Sequence, residues 1–112
     1  MREIKFRFWD KYLKKMCFRH PARNDFSHPN IIPMQYTGLK DKNGVDIYEG
    51  DIVDTHPHHI RSHNKYRFQR VIFINGTFLA EKSDFGWEGE TLVDLNQCVV
   101  IGNIHEHKHL LP

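Results

Sequence analysis

The sequence is short of the features that announce a chemistry. It has two cysteines in 112 residues, Cys17 in "KMCFR" and Cys98 in "NQCVV", and no CxxC pair. A thiol redox centre or a Cys-rich zinc site therefore lacks its usual spacing, and both residues read as small apolar side chains in strand-like surroundings. Long hydrophobic runs are missing too. "VIFI" and "VVI" are far too short to cross a bilayer, and the charged opening "MREIKFRFWDKYLKK" has no apolar signal core. A soluble cytoplasmic protein with no membrane partner is expected. The glycines sit beside no GK[ST] and open no helix, which excludes a phosphate-cradling loop. Ser27, Ser62 and Ser83 lie in no nucleophile elbow, and Asp84, Glu88 and Glu90 form an acidic loop around Trp87 without a paired acid and base. The expectation is a protein that is not an enzyme and holds no cofactor.

What is present is a pattern of short strands. In "EIKFRFWD", Ile4, Phe6 and Phe8 alternate with Lys5, Arg7 and Trp9, the period-two signature of a half-buried strand. "DKYLKK" reads as a hairpin connection and "KMCFR" as the returning strand. Residues 20–33 carry three prolines and read as a loop. The stretch "MQYTGLKDKNGVDIYEGDIV" then gives a β-meander, with turns at Asn43-Gly44 and at Gly50. "YRFQRVIFINGTFLAE" is a hairpin around Asn75-Gly76. "TLVDLNQ" allows one helical turn, and "CVVIGNI" reads as a central strand covered on both faces. The prediction is an all-β, single domain over 1–112, built of coiled, bent antiparallel sheets with short hairpins and at most one short helix.

Three segments, "REIKFRFWDKYLKKM", "MQYTGLKDKNGVDIYEGDIV" and "VVIGNIHEHKHLL", occur in that order across nearly the whole chain and resemble the YopX family of small bacteriophage and prophage proteins. The resemblance implies a mostly β fold that self-associates. It supplies no activity, cofactor or catalytic residue. It also implies that Gly38, Gly44, Gly50 and Gly102 serve turns or close approaches. The chain departs from the family pattern in "THPHHIRSHNKYRFQR" and "IHEHKHLL", and both departures add histidine.

Those histidines are the one metal candidate. His56 and His58 share a face in an extended segment, as do His105, His107 and His109, and imidazoles two residues apart can share one Zn²⁺ with a third ligand. The competing reading is exposed loop and tail residues under little constraint. Charge offers the second candidate. Residues 1–25 hold eight Lys or Arg against three acids, and residues 55–80 contain no acid. Lys5, Arg7 and Trp9, with Arg67 and Arg70, mix cations and aromatics as single-strand nucleic-acid binders do. The same pattern is the wet side of an amphipathic sheet. Residues 2–9, read as an edge strand, can instead pair with a partner. The leading reading is a non-catalytic association module that binds a second copy of itself and an unidentified bacterial or phage protein. Nucleic-acid binding is the alternative.

Overall fold

The computed structural model describes residues 3–19, 29–57, 67–81 and 94–111. Eight strands run β1 (Phe6–Asp10), β2 (Lys15–Cys17), β3 (Ile31–Lys40), β4 (Asp46–Tyr48), β5 (Asp51–Asp54), β6 (Phe68–Ile74), β7 (Thr77–Glu81) and β8 (Val99–Asn103). They form two four-stranded sheets, ordered β2-β1-β3-β4 and β7-β6-β5-β8. Every pairing is antiparallel. The helical content of the described residues is two 3-10 turns, Leu95–Gln97 and Lys108–Leu110. The bent all-β fold expected from the sequence is the observed one.

Local chemistry sets the turns. Asn75 and Gly76 both have positive φ, 52° and 79°, and Ile74 pairs with Thr77 across them. This is the two-residue primed turn whose twist matches a right-twisted ribbon. At "DKNG" only Gly44 takes positive φ. There the buried Asp41 does the work: one carboxylate oxygen accepts the N–H groups of Asn43 and Val45, both at 2.8 Å. Its other oxygen accepts the Val100 N–H at 2.8 Å and so ties the turn to β8.

Three expectations need correcting. β3 begins at Ile31, inside the segment read as a proline loop, and carries Pro33 as an ordinary strand residue. Its first half pairs with β1 and its second half with β4, starting at Tyr36–Tyr48. The Tyr36 N–H points to Lys5 of β1, so the odd-numbered positions face the other side, where Pro33 has no strand partner to lose. Second, β8 is an edge strand and only half buried along most of its length. Its apolar run is met at the edge by the Asp41 turn and not by another strand. Third, β1 lies between β2 and β3, so the segment read as an edge strand is covered on the β2 side from Phe8 onward, while β2 does not reach Phe6 or Arg7.

The apolar core lies mainly in the second sheet. Ile47, Val53, Val71, Leu95 and Cys98 form one buried cluster, with Phe78, Ala80 and Val100 against it. Burial pushes the Cys98 thiol up to about 11, which leaves it the inert apolar residue the sequence suggests. At the join between the sheets, Gly50 takes φ +87° and its N–H donates to Val71 O at 2.8 Å. A Cβ at Gly50 would stand 3.0 Å from Met34 Sδ.

Candidate binding groove on the first sheet

β1 carries four consecutive buried residues, Arg7, Phe8, Trp9 and Asp10. The face bearing Lys5, Arg7 and Trp9 is therefore not the wet side of the sheet, and each of the three meets a partner from later in the chain. Lys5 Nζ donates to Asp46 Oδ2 at 2.7 Å. Arg7 Nη2 donates to Asp51 Oδ1 at 2.6 Å. Trp9 stacks on His105, with ring centroids 5.1 Å apart and planes 8° from parallel. Two tyrosines complete the arrangement: Lys5 Nζ lies 4.6 Å from the Tyr36 ring centre, and the Arg7 guanidinium carbon 4.6 Å from that of Tyr48.

Asp51 opens β5 and is 1% exposed. Oδ1 takes Arg7, and Oδ2 accepts the Tyr48 N–H at 2.8 Å. Burial lifts the Asp51 carboxyl above its ordinary range, with the Arg7 charge opposing that lift. Asp46, bonded first by Lys40 at 2.6 Å and then by Lys5, is held below its ordinary range. Arg7 is less fully matched. Its Nη2 also approaches Met34 Sδ at 3.9 Å, and its Nε is buried with no acceptor. An orphaned buried donor costs about 1–3 kcal/mol.

These groups floor a groove of about 510 Å³ walled by Phe6, Phe18, Val45 and Val100. Phe18 is 69% exposed and sits edge-on to Tyr48, with centroids 6.4 Å apart. A second groove of about 510 Å³ lies between β3 and β6, lined by Met34, Val71, Phe73 and Ile104, with His105 at one end.

The other residues singled out in the sequence are placed as follows. Arg67 grips Asp54 with two bonds of 2.8 Å, Nε to Oδ1 and Nη2 to Oδ2. Burial would raise the Asp54 carboxyl, but the Arg67 bonds and the His56 N–H hold it low. Arg70 Nε donates to Glu81 at 2.6 Å. All four cations proposed for nucleic acid thus already face a carboxylate. His56 Nδ1 lies 2.8 Å from Thr55 Oγ1. His58, His59, His63 and the acidic loop 84–90 with Trp87 lie outside the described residues. The tail histidines do not lie on one face of a strand, because β8 ends at Asn103 and a turn follows. Asn103 Oδ1 accepts the N–H groups of His105 and Glu106, and the Asn103 N–H donates to His107 Nδ1 at 3.1 Å. That ring fills the space where a Cβ on Gly102 would be 2.5 Å away, so Gly102 is a close-approach glycine. His105 and His107 are thereby turned to different neighbours. Among the described residues no three His, Cys, Asp or Glu side chains converge as a metal would need.

Asp51 was the residue missed. Its signal was an acid leading an apolar strand, "DIV", in phase with buried Val53, which calls for a buried cation from elsewhere.

The fold defines an all-β protein of two bent antiparallel sheets joined through a charged centre. The chain belongs to the YopX protein family, whose model matches residues 17–112. It is also similar to the crystal structure of protein EF1440 from Enterococcus faecalis, at 27% sequence identity and TM-score 0.69, with the whole of both chains covered. No curated protein matches the sequence. No helix among the described residues is long and apolar enough to cross a membrane.

Proposed function

We propose that this protein is a non-catalytic association module of a phage or prophage, acting in the bacterial cytoplasm, and that copies of it assemble through the first sheet. The observation that carries this reading is the distribution of exposed apolar side chains. Among the described residues there are seven large ones; Ile4, Tyr12, Leu13, Phe18, Leu39 and Val45 belong to the first sheet and its turns, and Phe73 to the second. Tyr12 is 83% exposed at the tip of the β1–β2 turn, beside Leu13. That turn is held rigid by Asp10, whose Oδ1 accepts the Tyr12 and Leu13 N–H groups at 2.9 and 3.0 Å. A fixed turn presenting apolar side chains suits an interface, since little ordering entropy remains to be lost on binding. The pairing of the charged groups also weighs against catalysis. Lys5, Arg7, Arg67 and Arg70 are matched to carboxylates and not poised for proton transfer.

Sedimentation velocity on the untagged protein tests the reading. An oligomer is expected, and changing Tyr12 and Leu13 together to serine is expected to shift it to monomer without altering the fold. A monomer at every concentration would contradict it. A salt-sensitive complex with mixed-sequence DNA or RNA would favour nucleic-acid binding instead.

A further inference from the structure

Arg7 is 8% exposed, yet its guanidinium leaves most of its donors unused. Only Nη2 donates, to Asp51 Oδ1 and to Met34 Sδ. Nε is buried without an acceptor, and no described residue sets one against Nη1. A guanidinium carries five N–H donors in a planar fork. Asp51 does not take them up, because its second oxygen is engaged by the Tyr48 N–H. Arg7 lines the groove, so the unspent side chain belongs to a concave site of ligand size.

The surroundings narrow the class of ligand. The walls, Phe6, Phe18, Val45 and Val100, are apolar, and Phe18 stands far out of the surface with its ring edge toward Tyr48. Lys5 and Arg7 face Asp46 and Asp51, and Lys40, which does not line the groove, meets Asp46 from outside it. Lys5 also meets Glu3 at 3.5 Å, so the cluster is balanced in charge, and what it offers a ligand is the set of donors left over on Arg7. A fully hydrated anion would gain nothing from the walls, and a purely apolar molecule would leave the arginine unsatisfied.

We propose that the groove binds a compact organic carboxylate: an acid group that accepts from Arg7 Nη1, the donor that is neither engaged by Asp51 nor sealed from the surface as Nε is, carried on an aromatic or branched apolar body lying between Phe18 and Val100. The Tyr12–Leu13 turn does not line the groove, whereas Phe18 and Val45 belong both to it and to the exposed apolar surface of the first sheet, so binding is read on the Tyr12→Ser, Leu13→Ser variant as well.

Cinnamate is a suitable probe, with cinnamamide as its neutral counterpart and inorganic phosphate as an anion without a body. Heteronuclear NMR of the intact protein reads the Arg7 Nε–H and the amides of Val45, Tyr48 and Val100. Cinnamate is expected to shift these signals saturably. Cinnamamide is expected to bind at least about tenfold more weakly, and phosphate to give no saturable shift. Phe18→Glu, at an exposed position that tolerates change, is expected to weaken cinnamate at least about tenfold, whereas Phe18→Tyr retains it. Arg7→Lys, checked for a native spectrum, is expected to lose binding although the charge is kept. If Arg7→Lys fails to fold, the Phe18 pair still decides. No saturable shift, equal binding of the amide, or undiminished affinity in Phe18→Glu would overturn the proposal.

Discussion

The two sheets of this molecule are held together by different means. The second is centred on Val53, Val71, Leu95 and Cys98, a cluster with no charge in it, to which the first sheet adds Ile47. The first has Lys5–Asp46 within it and is joined to the second through Arg7–Asp51, with Tyr36 and Tyr48 alongside. It carries most of the exposed large apolar side chains among the described residues. The contrast suggests a division of labour. An apolar centre gains free energy from burial alone and is indifferent to partners. A charged centre gains little net stability but fixes which strands meet, and it leaves polar donors that a ligand can use.

The comparison is broken most severely by Arg7→Met. It strands Asp51 as an uncompensated buried charge, and unfolding by denaturant should show a loss of about 3–5 kcal/mol. Adding Asp51→Asn, which still accepts the Tyr48 N–H, should recover at least half of that loss. Recovery would show that the pair specifies the join more than it stabilises it. In the second sheet, Leu95→Ala should cost about 2–5 kcal/mol by opening a cavity. No second substitution elsewhere is expected to rescue it, because no buried charge has been orphaned.

A smaller effect concerns pH. Burial, with Arg7 and Lys11 nearby, holds the His105 imidazole below its ordinary value of 6.5, Glu106 opposing. The unfolded chain therefore takes up this proton first as pH falls. The contribution of His105 is complete above about pH 6.5 and is lost as pH drops from there toward the lower folded value. Thermal unfolding followed from pH 7 to pH 5 should show a decline of at most one proton's slope from this residue. His105→Phe, which keeps a ring against Trp9, should flatten it. The smallest expected change in stability is that of the Tyr12→Ser, Leu13→Ser double variant, within about 0.5 kcal/mol per site because both side chains are exposed. Its consequence should appear in assembly alone.

The same contrast explains how much could be read in advance. Hairpins came through clearly, since Asn75-Gly76 encodes its turn within two residues and the strand alternation around it is local. The site did not. Arg7 and Asp51 are 44 positions apart, and a cation on an alternating strand looks identical whether it faces water or a buried acid. The wet-side reading of Lys5, Arg7 and Trp9 failed for that reason. The all-apolar β8 was misread as a central strand because its cover is a turn, anchored by Asp41 across 59 positions. The tail histidines lost their shared face because Asn103 converts the end of β8 into a turn through side-chain bonds that no hydrophobic period reveals.

Amide hydrogen exchange, followed as the protein is concentrated, tests this division between the sheets most directly. Protection should rise with concentration at the β1–β2 turn and around Leu39–Val45, and stay constant through β6 and β7. A rise confined to β6 and β7, or no dependence on concentration anywhere, would contradict it.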